Sequence, residues 1–282
     1  MTHTERYLDR LNSYIDLDKY PIHEPDSKAA IDVVKRGHDM MRTDTLCLFE
    51  DFLRPKAVDR LCTEITALEN DAHRVDYPCT VYGWMDNSGF APDHPRSQLL
   101  QRRCSVITTD QLDEQGTCLE LYRFDELTEF VRRLLQFDAL YRSECQTLSI
   151  QINVMHANES FEWHYDTNDG VVSFTIQNPD NGGGFEYVPM IRDEDNENYD
   201  AVARILDGTD NPRQPKATPG SFSLFLGRRS IHRVAPVGKT NNSRQSLLLS
   251  YHSEPGHVFP KKTCERLTSR SNEPYKGAMT PA

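Results

Sequence analysis

Three residues with metal-ligand chemistry stand at spacings that let them meet. The stretch FEWHYDTND carries His164 and Asp166 two positions apart, between aromatics. Side chains two apart on an extended strand project from the same face. His164 and Asp166 can therefore chelate one ion while Trp163 and Tyr165 turn to the other side. A later apolar run, SIHRVAPV, has His232 at its centre, with Val234 following it inward and Arg233 pointing outward. Two imidazoles and one carboxylate on one side of a metal leave coordination positions open. Non-haem iron(II) uses this donor set to hold O2 and a chelating co-substrate together.

The stretch RQS supplies a grip for such a co-substrate. Arg244 and Ser246 share a strand face, so a guanidinium and a hydroxyl can hold one carboxylate between them. The distal carboxylate of 2-oxoglutarate requires such a pair. HxD, a later strand histidine and Arg-x-Ser at matching parity are each common alone; together in one half of the chain they point to one site. The competing catalytic signatures are missing: the sequence has no HExxH, GxSxG, Walker or GxGxxG motif. NGGGFEYVP, from Asn181, reads as a tight turn opening a strand rather than a phosphate loop.

The elements that must position these residues fall into two halves. Residues 1–145 read as a helical and loop region packing on a core. Asp26-Ser27 caps a helix through Arg36 with Ala30, Val33 and Val34 as its stripe, and Pro55 opens a second with Val58, Leu61, Ile65 and Leu68. A third is expected from Asp125 to about Leu140, with Leu127, Phe130, Val131, Leu134 and Leu135 on one face. The segment from Tyr77 to Pro95, rich in aromatics, Gly and Pro, reads as a long irregular loop and a candidate lid.

From Gln146 the apolar period changes to two. In TLSIQINVM, Leu148, Ile150, Ile152 and Val154 oppose Ser149, Gln151 and Asn153; in VVSFTIQ, Val172, Phe174 and Ile176 oppose Ser173, Thr175 and Gln177. Further strands are expected at GGFEYVP, SFSLFLG, SIHRVAPV and RQSLLLSYH, with one helical insertion at NYDAVARILDG. Residues 146–253 thus predict a mainly β core, a sandwich or barrel with a polar interior, followed by a C-terminal extension over 254–282.

Composition narrows the partners. A net charge of −11 over 282 residues argues against nucleic acid and anionic membrane, which call for clustered Lys and Arg. No apolar run approaches the roughly 20 residues of a membrane span, and the charged N-terminus lacks the apolar core of a signal peptide. Seven scattered cysteines without a CxxC pair read as reduced thiols. The expected location is cytoplasmic and the expected partner a small molecule.

HYD, HRV and RQS together resemble the iron(II)/2-oxoglutarate-dependent oxygenase superfamily. WHYDTND, GGGFEYVP and PGSFSLFLGRRSIHRVAPVG are similar, more narrowly, to the branch of free-amino-acid radical halogenases (BesD/HalD-like) and their hydroxylating relatives. The resemblance is strongest from about Gln146 to His252 and extends more weakly over HPR (His94 to Arg96) and ELYRFDELTEFVRRLL. It implies a double-stranded β-helix (jelly-roll, cupin-like) supported by helices. It also implies iron(II) at His164, Asp166 and His232, 2-oxoglutarate at Arg244 and Ser246, O2 as oxidant, and an amino acid or amino-acid-derived metabolite as substrate. Halogenating members replace the metal carboxylate with a small residue to admit chloride. Asp166 stands there in this chain, so hydroxylation, desaturation or cyclisation at an unactivated C–H bond is expected. The alternatives are a radical halogenase and a non-catalytic metal- or ligand-binding cupin, which would not need Arg244-x-Ser246. For the substrate, Arg74 is a candidate carboxylate partner, Tyr77, Tyr82 and Trp84 candidate pocket walls, and Asn153 a candidate polar contact.

Overall fold

The computed structural model describes residues 2–83, 85–166 and 170–268. Its architecture follows from two amphipathic patterns laid against each other. The chain opens with helix α1 (His3–Asn12) and helix α2 (Lys28–Asp44), then strand β1 (Leu46–Phe49) and helix α3 (Pro55–Leu68). Strands β2 (His73–Cys79) and β3 (Leu100–Thr108) precede helices α4 (Thr117–Arg123) and α5 (Asp125–Leu135). The strands of the second half are β4 (Tyr141–Arg142), β5 (Ile150–Met155), β6 (Phe161–His164), β7 (Val171–Gln177) and β8 (Phe185–Val188). Helix α6 (Tyr199–Leu206) intervenes before β9 (Phe222–Phe225), β10 (Ile231–Val234), β11 (Arg244–Leu249) and β12 (Tyr251–His252), and helix α7 (Lys261–Thr268) follows.

Seven strands form the major sheet in the order β1-β9-β7-β11-β5-β3-β2, and three form the minor sheet, β6-β10-β8. Neighbouring strands within both are antiparallel. The molecule is therefore mainly β with helical support, a double-stranded β-helix as expected. Three strands that the period-two pattern did not reveal, β1, β2 and β3, come from before Gln146 and widen the major sheet. Strand β2 takes in Tyr77, Pro78 and Cys79, the start of the expected loop. Pro78 is tolerated there because β2 lies at the sheet edge, where a missing N–H breaks no inner ladder.

The central strands β5 and β7 alternate apolar and polar side chains between their two faces. Ile150, Ile152, Val154, Val172, Phe174, Phe222 and Leu247 are fully buried and join Phe49, Phe52, Phe130 and Leu134 in one core. This is the helical support: α2, α3 and α5 lay their stripes on the back of the sheet. The opposite face carries Gln151, Asn153, Ser173, Thr175, Ser223 and Ser246 into a cavity between the sheets. The outer face of the minor sheet is covered separately, by Val81, Tyr82, Trp163, Val202, Ile205 and Ile231.

Helix limits depart from expectation where a local conformation decides them. Ser27 caps α2, its hydroxyl accepting from the Ala30 amide at 3.2 Å, but the helix continues past Arg36 to Asp44 and stops at left-handed Thr45. Helix α5 ends at Leu135, short of Leu140, because Gln136 is left-handed with φ 58°. Inside α2, Gly37 sits against α5 and β1: a Cβ there would lie 2.4 Å from Leu134 Cδ2 and 3.2 Å from Cys47 Sγ. Gly→Ala in a helix interior ordinarily gains about 1 kcal/mol. Here Gly37→Ala is expected to lose about 1–3 kcal/mol by overpacking. Urea denaturation checks it, and a stabilised variant would contradict this account of the α2 contact.

Candidate metal and co-substrate site

The cavity between the sheets has a volume of about 290 Å³, near the lower end of the range for small-molecule sites. At its minor-sheet wall the β6–β10 register sets His232 directly opposite His164. Asp166 follows two residues beyond His164, just past the end of β6, and turns between the two rings. His232 Nε2 lies 3.5 Å from Asp166 Oδ2, and His164 Nε2 lies 3.9 Å from Asp166 Oδ1. One donor atom from each of the three residues lies within 4.8 Å of the others. The donor set expected from the sequence is thus brought together at one point.

Both imidazoles are oriented by backbone carbonyls. His164 Nδ1 donates to the Glu162 carbonyl at 2.8 Å, and His232 Nδ1 donates to the Ser230 carbonyl at 3.0 Å. A carbonyl can only accept, so the proton resides on Nδ1 and the Nε2 lone pair faces Asp166. Burial, then the neighbouring His232 and Arg102 charges, hold the His164 pKa well below its ordinary value. Phe161 stacks on His164 with ring centroids 4.1 Å apart, and Phe225 meets His232 edge-on at 4.9 Å. These contacts fix the rings and keep water from their faces.

Asp166 depends on a glycine. Its amide donates to the Gly227 carbonyl at 3.1 Å, and a Cβ on Gly227 would fall 1.9 Å from Asp166 Oδ2. The absence of a side chain at Gly227 is what lets the carboxylate lie between the histidines. Two neutral Nε2 donors and one carboxylate, each tied from behind, fit a divalent iron.

Across the cavity, Arg244 donates from Nε to the Gly183 carbonyl at 2.8 Å and from Nη1 to the Ser246 hydroxyl. Burial pulls its pKa down to about 10, and no carboxylate among the described residues pairs with it. Ser246 pairs in register with Asn153 on one side and Thr175 on the other, so a row of polar side chains runs beside the guanidinium. A buried guanidinium beside a hydroxyl is complementary to an anion of the size of a carboxylate.

The other expected substrate contacts divide. Asn153 lines the cavity. Ser149 is buried but spends its hydroxyl on the Ser143 and Cys145 carbonyls. Arg74 is not brought to the cavity: it lies on β2 in ion pairs with Glu159 and Asp76. Tyr77 is buried and does not itself line the cavity; it touches two residues that do, Arg102, whose Nη1 donates to its hydroxyl at 3.2 Å, and Arg266, which lies over its ring. Tyr82 is fully buried outside the minor sheet, in ring contact with Tyr165 and Tyr199. Trp84 lies outside the described residues. No described residue between 80 and 99 lines the cavity. That stretch is gathered instead around buried Arg96, which bonds Asn87 Oδ1 and the Asp86 carbonyl and lies over the rings of Phe90 and Tyr82. Sequence reasoning missed Gly227, Phe161, Arg102 and Arg266. For Gly227 the glycine itself was the signal, but only the structure shows what it faces.

The fold is shared with solved structures of low sequence identity. One is the epimerase SnoN from nogalamycin biosynthesis, in complex with Fe3+, alpha-ketoglutarate and nogalamycin RO: TM-score 0.55, 13% identity, 88% of this chain and 95% of that one. Others are AviO1 from Streptomyces viridochromogenes Tue57 (TM-score 0.53, 14% identity, 82% and 97%) and the alpha-ketoglutarate-dependent carbocyclase SnoK (TM-score 0.52, 13% identity, 77% and 83%). No curated protein matches the chain. The class is that of the iron(II)/2-oxoglutarate-dependent oxygenases, which makes the protein an oxidoreductase using iron, 2-oxoglutarate and O2. Within it, the chain belongs to the HalD (Halogenase D) family, whose sequence model matches residues 32–265.

Two outcomes follow from this geometry. Gly227→Ala is expected to weaken iron(II) binding by about 10- to 100-fold, the usual cost of disturbing a ligand's support. Anaerobic metal titration reads it, and undiminished affinity would remove Asp166 from the site. The second concerns pH. An unfolded histidine titrates near 6.5 while folded His164 resists protonation. Below 6.5 the unfolded chain binds a proton that the folded chain refuses, so stability falls as pH drops toward the folded value, and this group adds no slope above 6.5. Denaturation of metal-free protein should show this decline, and His164→Gln should flatten it; an equal slope in the variant would contradict the assignment.

Proposed function

We propose that the protein oxidises an unactivated C–H bond of a free amino acid or small amino-acid-derived metabolite, with hydroxylation, desaturation or cyclisation as the outcome. His164, Asp166 and His232 hold the iron, and Arg244 with Ser246 holds the distal carboxylate of 2-oxoglutarate. The observation that carries the reading is Asp166, whose carboxylate lies between the two imidazoles. When bound, iron and 2-oxoglutarate supply the oxidising power: O2 is consumed, 2-oxoglutarate becomes succinate and CO2, and the substrate loses a hydrogen atom. The protein's own part is placement. Neutral Nε2 donors and the Asp166 carboxylate fix the metal, the buried guanidinium orients the co-substrate, and Phe161, Phe185, Phe225 and Val234 dry the reacting corner.

A halogenase reading is favoured by the family's name and opposed by Asp166, which fills the position that a halide would need. We expect succinate release and a product heavier by one oxygen, or lighter by two hydrogens, whether or not chloride is present. Asp166→Gly should lose most of that product. A chlorinated product from the unaltered protein would overturn the hydroxylating reading, and absence of succinate with every substrate tried would favour a binding protein. Arg244→Gln should raise the 2-oxoglutarate requirement at least about tenfold, since a charge-assisted bidentate contact is lost; an unchanged requirement would free Arg244 of that role. A cytoplasmic location is supported by the seven cysteines, which are all free although Cys145 and Cys264 approach to 3.8 Å.

A further inference from the structure

Cys145 and Cys264 are 119 residues apart in the chain and meet sulfur to sulfur, their Sγ atoms 3.8 Å apart. A disulfide needs about 2 Å, so a small movement of one partner would bring the two to bonding distance. They are held unequally. Cys145 is buried in the turn between β4 and β5, where its amide donates to the Ser143 hydroxyl at 3.3 Å and its carbonyl accepts from the Ser149 amide at 3.1 Å. Its sulfur accepts from the Leu148 amide at 3.4 Å. Cys264 is only partly buried and rides on α7, its thiol donating to the Phe259 carbonyl at 3.9 Å. One sulfur is therefore fixed to the core and the other moves with a helix.

Helix α7 is a wall of the cavity that the core grips lightly. Phe259, Thr263, Arg266 and Leu267 line the cavity, yet no residue of α7 is buried. The chain leading into it is anchored at His257, whose carbonyl accepts from the Glu144 amide at 2.9 Å and the Ser143 hydroxyl at 3.1 Å. Past that anchor, Leu267 packs on the cluster of Val75 and Tyr77, and Arg266 lies 5.4 Å from the Tyr77 ring centroid. An element with so little burial opens at a lower free-energy cost than the strands beneath it. Cys264 lies between the His257 anchor and the far end of the helix, where a bond to the core would hold the wall down.

We propose that Cys145 and Cys264 form a reversible disulfide that fastens α7 to the core, so that entry to the cavity depends on the thiol–disulfide balance of the surroundings. The oxidant is a small disulfide such as oxidised glutathione. The Cys264 thiolate attacks one glutathione sulfur and expels the other as a thiolate, leaving a mixed disulfide on α7. Cys145, as its thiolate, then attacks Cys264 Sγ and expels the second glutathione. The protein loses two electrons and two protons, and the glutathione disulfide gains them as two thiols. Burial, then the neighbouring Cys145, pushes the Cys264 thiol up to about 11. The first attack therefore proceeds from molecules in which α7 has lifted, and the second completes the bond as it returns. This latch stands whether or not the cavity holds iron.

The test uses the full chain, metal-free, equilibrated in glutathione buffers of rising oxidised fraction, then alkylated and mapped by mass spectrometry. The Cys145–Cys264 crosslink is expected to be the main disulfide and to disappear on return to reduced glutathione. Hydrogen exchange of the α7 amides should slow at least about tenfold in the oxidised protein, and Cys264→Ser should show no such slowing. With iron(II) and 2-oxoglutarate then added anaerobically, their absorption band should form at least about tenfold more slowly in the oxidised protein. In Cys264→Ser it should form at one rate in both buffers. Absence of the crosslink at every glutathione ratio, or a different cysteine pair as the main product, would overturn the proposal. So would a crosslink that leaves α7 exchange or the rate of band formation unchanged. If Cys264→Ser does not fold, Cys264→Ala replaces it with the same criteria. If the unaltered protein gives no band in either buffer, the oxygenase reading fails, while the crosslink and hydrogen exchange still decide the latch.

Discussion

The pairing of β6 with β10 is the constraint on which the site depends. Antiparallel register puts His164 and His232 opposite each other on one face, and a slip of one residue would turn either ring to the other side of the sheet. The register is held from outside. Arg233 bonds Glu186 at 2.6 Å and covers Trp163 at 4.6 Å, while Tyr82, Trp163 and Ile231 close the apolar cluster behind. Residues on the outer face of the minor sheet therefore decide where the two imidazoles point. Asp166 is added to that frame by a tight approach to Gly227, a loop contact rather than a strand pairing.

The major sheet works by the same alternation on a larger scale. Its back is an aromatic and aliphatic layer against α2, α3 and α5; its front is a polar floor. A floor of Ser, Thr, Asn and Gln is affordable only because each strand spends its other face on the core. Arg244 and Arg102 both line the cavity above that floor. The helices are thus not an appendage: they supply the burial that allows the opposite face to stay polar.

Much of this was legible in the sequence because it rests on period two. The parity of Ile150, Ile152 and Val154 against Gln151 and Asn153 announced both faces of β5, and HxD with a later strand His announced the three side chains that meet at the cavity wall. What escaped was set by contacts distant in sequence. Strands β1, β2 and β3 are short or interrupted by charge and proline, as in HRVDYPC and LQRRCSVIT, so their alternation is blurred. Tyr82 looks the same as a pocket wall or as core, and tertiary packing made it core. Arg102 sits in the run QRRC, where nothing distinguishes it from Arg103; the structure sends Arg103 to Asp76 on the outside and Arg102 into the cavity.

On the reading proposed above, one cavity assembles iron and 2-oxoglutarate on His164, Asp166, His232 and Arg244. Anaerobic visible absorption, with iron(II) and then 2-oxoglutarate added to metal-free protein, tests it most directly. The account predicts a weak charge-transfer band that requires both additions and is lost in His232→Ala. A band that persists in that variant, or metal binding with no band on adding 2-oxoglutarate, would contradict it.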